Sequence, residues 1–392
     1  MDSLIFAAYL ICFCFLITKI PFFKKSGLSK YWLIGLFVLK VFAGCAYGYF
    51  YSLPAYIQTS DTWKYFDLSK TETTLLLNDP LEFIKALFSY GYNSAGNLFI
   101  ANNSYWNDLK DNIIIKFVAV INVFSFKNYY ADVIFCNFFF FFGCIAFYRL
   151  LKEKISANTF VLIAFVFCIP SFLFWCSGIH KDGFIFMAIA VFIFYFNEWI
   201  KRKRLSAKWI IVFIICALIL FAMRNFVFLL LIPALLAWSL CNRYPQKKII
   251  IVASIYCFAI LLFFVSKFIS PAIDFPAYII TKQNEFKLLG GNSQLILPAL
   301  ENNLVSFLKF IPYAIDTAFF RPHINETANK LYLPAIAENI FMYVLIIYSL
   351  YHAIKKRKQN ILNEPAKAFI IFCFVFAISN LLLMGYTVTL TG

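Results

Sequence analysis

Five short basic stretches divide this chain into long apolar runs. Residues 19–30, 149–154, 201–208, 243–248 and 355–367 hold 20 of the 35 Lys and Arg residues. Of the 19 Asp and Glu residues they hold only Glu153 and Glu364. Apolar helices joined by basic loops on one face characterise a polytopic membrane protein, and such loops lie in the cytoplasm. Nearly all other carboxylates then fall on the opposite face, where acid–base chemistry is expected. A hydrophobic content of 62% with only 14% charged residues excludes an ordinary soluble domain. The net charge of +16 is concentrated in the basic loops, which points to anionic membrane lipids as partners and not to nucleic acid.

The first apolar segment, 3–23, runs into Lys24-Lys25 without a small-residue cleavage site, so it reads as a retained span and not a signal peptide. The eleven cysteines show no metal-ligand spacing and read as small apolar residues, not as a disulfide framework.

A crossing needs about 20 apolar residues. Segments 3–23, 31–52, 131–148, 157–176, 182–200, 248–267, 334–353 and 367–389 qualify. The stretch 209–241 is too long for one helix and is interrupted by Arg224-Asn225, with basic residues at both flanks. A hairpin of two short helices with Arg224 at its outer tip fits. The chain is therefore expected to be all-α, with about ten transmembrane helices in a single membrane domain over 1–392 and both termini outside. Two large outer loops result, about 53–130 and 268–333. Within them, 113–126 and 303–320 are apolar but interrupted by Lys116, Asn122, Lys309 and Asp316, as suits interfacial helices.

Three outer segments carry chemistry-bearing residues. The first begins Ser60-Asp61-Thr62-Trp63-Lys64-Tyr65. A carboxylate at the membrane surface among aromatics suits a general base acting on a lipid-linked substrate. Equally, Asp61 could simply cap a helix starting at Thr62. The second is the turn Ser177-Gly178-Ile179-His180-Lys181-Asp182-Gly183. Asp182 is favourable at a helix N-terminus and Lys181 is not, so the turn is either a polar site or an ordinary solvated one with Lys181 snorkelling. The third, Arg321-Pro322-His323-Ile324-Asn325-Glu326, is either a site or a solvated loop. Arg224, held between two short apolar helices, faces a cavity or partner, or snorkels. Lys40, inside the second span, either pairs with another helix or lines the same cavity.

The order of these features resembles the GT-C superfamily of membrane glycosyltransferases, and among them polytopic proteins of bacterial surface-polysaccharide clusters. The likeness rests on Asp61-Thr62 with Tyr65, on Ser177-Gly178 with Lys181-Asp182, and on Arg321-Pro322 with Glu326. It implies sugar transfer from a polyprenyl-phosphate donor to a glycan or lipid acceptor on the outer face of the bacterial cytoplasmic membrane. In that reading Asp61, Asp182 and Glu326 are the catalytic candidates, with Asp61 the base. Lys64, Tyr65, His180, Lys181, Arg224, Arg321 and His323 would bind substrate. The carboxylate after Asp61 is Asp67, so the chain lacks a tight acidic pair, and a divalent metal stays an open option. The alternatives are a polymerase or ligase of lipid-linked repeats, and a flippase of lipid-linked glycans. A flippase would favour paired repeats, which the chain lacks.

Overall fold

A computed structural model describes residues 2–87, 105–155, 157–204, 206–270, 273–288, 298–326, 330–355 and 363–387. Among these, every regular element is helical. Eight helices are long and apolar enough to cross a membrane. The chain is an all-helical, multi-pass membrane protein. Its contacts group into two compact units, one built from 1–93 and 105–225, the other chiefly from 226–392.

The first unit contains α1 (Asp2–Lys19), α2 (Pro21–Lys24), α3 (Lys30–Tyr51), α4 (Asp61–Asn78), α5 (Pro80–Lys85) and α6 (Tyr105–Ser125). It continues with α7 (Tyr129–Lys154), α8 (Thr159–Phe167), α9 (Pro170–Trp175), α10 (Lys181–Arg202) and the first part of α11 (Ala207–Arg243). The hub is α7, which packs against α1, α3, α6, α8 and α10. Its Phe141, Cys144, Ile145 and Tyr148 are fully buried against Ile17, Phe23, Phe37 and Val41.

Two segments differ from the expected spans. Residues 157–176 are not one helix, because α8 stops at Phe167 and α9 starts at Pro170. Proline lacks an amide proton and pushes the preceding residue to extended backbone, and Ile169 is indeed extended (φ −66°, ψ 118°). For the same reason the first expected span, 3–23, divides at Pro21 into α1 and α2. Residues 207–243 form two helical halves that meet at Arg224, whose backbone leaves the helical region (φ −150°, ψ 83°).

The segment 113–126 is part of the longer α6, which pairs with α4 along a polar seam. Lys116 Nζ meets Glu72 Oε2 at 2.7 Å, Asn122 Nδ2 donates to Ser69 Oγ at 2.7 Å, and Thr73 Oγ1 donates to the Ala119 carbonyl at 3.1 Å. The polar residues that interrupt α6 in sequence are thus the ones that bind it to α4.

The second unit contains the rest of α11 with α12 (Lys248–Ile269), α13 (Phe275–Leu288), α14 (Leu304–Ile315), α15 (Leu333–Lys355) and α16 (Glu364–Thr387). A small core of Ile279, Leu300, Phe307, Phe310 and Ala314 packs against Phe263, Phe264, Leu383 and Tyr386. Segment 303–320 is α14 followed by a π-helical turn, Asp316–Phe320. Phe307, Phe310 and Ala314 form the buried face of α14, while Leu304, Val305 and Leu308 leave its other face apolar and exposed.

Candidate functional site

Two N-terminal helix ends and one helix interruption meet in the first unit. Ser60 caps α4, its side chain accepting from the Trp63 amide at 3.4 Å, so Asp61 is the first helical residue and not the cap. That leaves the Asp61 carboxylate available. Below it, Trp63 Nε1 donates to the Gly48 carbonyl at 3.0 Å, and Thr62 Oγ1 lies 2.7 Å from the Tyr129 hydroxyl. These bonds tie the start of α4 to α3 and α7.

His180 caps α10, its Nδ1 lying 3.4 Å from the Asp182 amide and 3.3 Å from Asp182 Oδ2. Its Nε2 points to Asp61 Oδ2 at 4.0 Å, and Lys181 Nζ lies 3.6 Å from the same oxygen. On the other side, Asp182 Oδ1 receives Arg224 Nη2 at 3.2 Å. The helix interruption at Arg224 thus ends in a carboxylate partner. A continuous chain of charge runs from Asp61 through His180 and Lys181 to Asp182 and Arg224.

The turn carrying His180 is fixed from behind. Lys40 is only 1% exposed and donates to the Cys176 carbonyl at 3.0 Å and to Ser177 Oγ at 2.9 Å. Asn137 Nδ2 donates to the Ser177 carbonyl at 2.7 Å. A Cβ on Gly44 would sit 2.2 Å from the Ser177 carbonyl oxygen, and one on Gly178 would sit 2.1 Å from the Tyr47 ring. Gly44 lets the backbone of the turn approach α3, and Gly178 makes room for the Tyr47 ring. The rings of Tyr47 and Trp175 flank His180 at 6.1 and 5.9 Å. Lys40 therefore belongs to the frame of the site. It has a hydroxyl and a carbonyl as partners in place of a salt bridge.

The electrostatics separate the two carboxylates. Asp182 is 27% exposed and sits between Arg224 and His180, so its charge is already matched. Asp61 is 46% exposed, and Lys181 Nζ and His180 Nε2 stand at 3.6 and 4.0 Å from it, beyond hydrogen-bond distance. Asp61 is the more open of the two carboxylates, and Asp182 the more closely paired.

The remaining sequence candidates fall elsewhere. Lys64 is exposed. Tyr65 is buried and donates to Asp111 Oδ1 at 2.8 Å; burial and that carboxylate push its hydroxyl well above the usual tyrosine range, so it serves as a donor. In the second unit, Arg321 pairs with Glu326 at 2.9 Å, and His323 bridges Glu326 Oε1 and Asp316 Oδ1 at 3.0 Å each. Asn339 and Tyr343 of α15 hold the adjoining backbone, donating to the carbonyls of Arg321 and Phe319. This is a second, self-contained cluster. Among the described residues, no group of three or more His, Cys, Asp and Glu side chains is placed to hold a metal ion. All eleven cysteines are free thiols.

Asn137 was not among the sequence candidates. Its signal was present, since an amide inside the run 133–147 needs a partner in a membrane, and here that partner is the carbonyl of Ser177 in the turn before α10. Comparison with protein-family models, curated proteins and solved structures finds no match to this chain.

Proposed function

We propose that the chain is a membrane glycosyltransferase of the GT-C type. It would move a sugar from a polyprenyl-phosphate donor to an acceptor hydroxyl on the outer face of the bacterial cytoplasmic membrane, in surface polysaccharide or glycolipid synthesis. One observation carries this reading: Asp61, His180, Lys181, Asp182 and Arg224 converge from three helices far apart in sequence.

The cations Lys181 and Arg224 match the carboxylates Asp61 and Asp182 in number. A donor phosphate brings negative charge and competes for the cations. The 3.6 Å contact between Lys181 and Asp61 is the looser of the two cation pairs and yields first. Lys181 turning to phosphate frees Asp61 as the base. Asp61 takes the acceptor proton as the acceptor oxygen attacks the anomeric carbon, and the bond from that carbon to the phosphate oxygen breaks. Polyprenyl phosphate leaves, its charge met by Lys181 and by the planar guanidinium of Arg224. A single reacting carboxylate implies inversion at the anomeric carbon.

The same reading has ten crossings, with α8 and α9 forming one broken crossing and the two halves of α11 one each. As a straight rod α11 would be roughly 55 Å long, against a hydrocarbon core of about 30 Å. Labelling of single cysteines introduced in 53–87 tests the topology; reaction from the cytoplasmic side only would overturn it. Activity is tested on the full chain in proteoliposomes, by release of polyprenyl phosphate from a polyprenyl-phosphate-linked sugar. Release that requires an acceptor and is lost in Asp61→Asn supports the reading. Undiminished release in that variant removes Asp61 as the base.

A further inference from the structure

A second cationic feature lies at the opposite end of the first unit, among the basic stretches, and the proposed reaction makes no use of it. The ends of α2, α7 and α10 and the start of α11 enclose a cleft of about 270 Å³. Lys25, Arg149 and Arg202 line it, with Phe22, Phe194 and Trp209.

Arg149 is the informative residue. Its guanidinium lies over the rings of Phe22 and Phe194, 5.0 and 4.6 Å from their centroids, and its hydrogen bond to the Phe22 carbonyl is long at 3.5 Å. Among the described residues, no carboxylate lies within ion-pair distance of it. The cleft's own carboxylate, Glu198, is taken by Lys201 at 2.5 Å and Arg202 at 3.1 Å. Arg149 and the exposed Lys25 therefore face a common space without a direct ion pair among the described residues, although Glu198 and Glu153 act on Arg149 at longer range. A guanidinium resting against two aromatic rings has less freedom to move, and its planar fork of donors suits phosphate oxygens.

The depth and surroundings of the cleft identify the source of the phosphate. Arg149 lies five residues before the end of α7, about 8 Å down the helix axis, near the headgroup layer. Trp209 stands at the rim, where indoles collect at membrane interfaces. From it, Ile210, Ile214 and Leu218 run along one face of α11, 43%, 53% and 64% exposed. That apolar track leads away from the cationic cleft in the direction an acyl chain would take.

We infer that this cleft binds the phosphate of an anionic glycerophospholipid, with Arg149 and Lys25 on the phosphate and an acyl chain along Ile210, Ile214 and Leu218. The site is independent of the glycosyl-transfer reading. Native mass spectrometry of the full chain released from phosphatidylcholine nanodiscs containing a minor fraction of phosphatidylglycerol tests it. The expected result is selective retention of phosphatidylglycerol that millimolar inorganic phosphate does not displace. Retention should fall about fivefold in Lys25→Ala and about tenfold in Arg149→Ala. Equal retention of the two lipids would overturn the proposal. Displacement by inorganic phosphate would overturn the lipid assignment in favour of a soluble anion. Lys25 is exposed, so Lys25→Ala is expected to fold normally even if Arg149→Ala does not; wild-type retention in Lys25→Ala would also overturn the proposal.

Discussion

The two acidic–basic clusters of this protein use similar side chains but are assembled differently. Asp316, Arg321, His323 and Glu326 lie within eleven consecutive residues, and each finds its partner close by in sequence. Asp316 and His323 remain 53% and 37% exposed. Asp61, His180, Lys181, Asp182 and Arg224 belong to three helices, and His180 is 8% exposed. A local cluster can satisfy itself with few other contacts. A cluster drawn from distant segments must be held, and here Lys40, Asn137, Gly44 and Gly178 serve that purpose with buried groups that meet few other needs. Buried polar groups and glycines in helices cost stability, so an arrangement that accumulates them around one turn points to function there.

The comparison breaks first at Asp61. Asp61→Asn is expected to lower glycosyl transfer roughly 10²–10⁴-fold, the usual contribution of a general base, while protein levels stay normal. Glu326→Gln should leave the rate within a fewfold of wild type. A reversed ranking in the proteoliposome assay would move the site to the second unit.

Arg224 comes next. Arg224→Ala removes the partner of Asp182 and the proposed phosphate ligand, and should lower turnover by about 10–100-fold, with Arg224→Lys recovering part of it. Binding of an isolated polyprenyl-phosphate sugar should weaken in parallel. Unchanged binding and turnover would make Arg224 a snorkelling residue.

Lys40 separates frame from chemistry. Lys40→Met leaves the Cys176 carbonyl and the Ser177 hydroxyl without their buried donor, a loss of about 1–3 kcal/mol. Thermal unfolding in detergent should register it, and turnover should fall with the affinity for donor unchanged once folded protein is counted. The smallest effect is expected for Glu326→Gln on stability. It loosens a partly exposed pair with Arg321, worth about 1 kcal/mol or less, and a much larger drop in the unfolding temperature would show that the second cluster is not merely local.

Much of this architecture was legible in the sequence, and the parts that were not share a cause. Apolar run length and the basic stretches locate α1, α3, α7, α10, α12, α15 and α16, because membrane burial imposes a one-dimensional pattern. Proline at 170 and at 21 interrupts that pattern without making the segment polar, so hydropathy passes over both breaks. The site residues were legible as three separate clusters: Asp61, the 180–182 turn and the 321–326 loop. That the first two meet, with Arg224 joining them at Asp182, depends on how α4, α10 and α11 pack, which no local spacing encodes. The frame was hidden further still. Lys40 reads in sequence as an intramembrane charge that either pairs with another helix or lines a cavity, yet its partners are the carbonyl of Cys176 and the hydroxyl of Ser177, groups that any segment of the chain could have offered.

The central claim is that Asp61 and Arg224, distant in sequence, act as parts of one site. A double-mutant cycle on turnover tests it, comparing Asp61→Asn, Arg224→Ala and the combined variant in proteoliposomes. Residues that act as a unit are strongly non-additive, so the combined variant should be no slower than the slower single variant, within about twofold. Losses that multiply would show that the two residues work independently and would contradict the account.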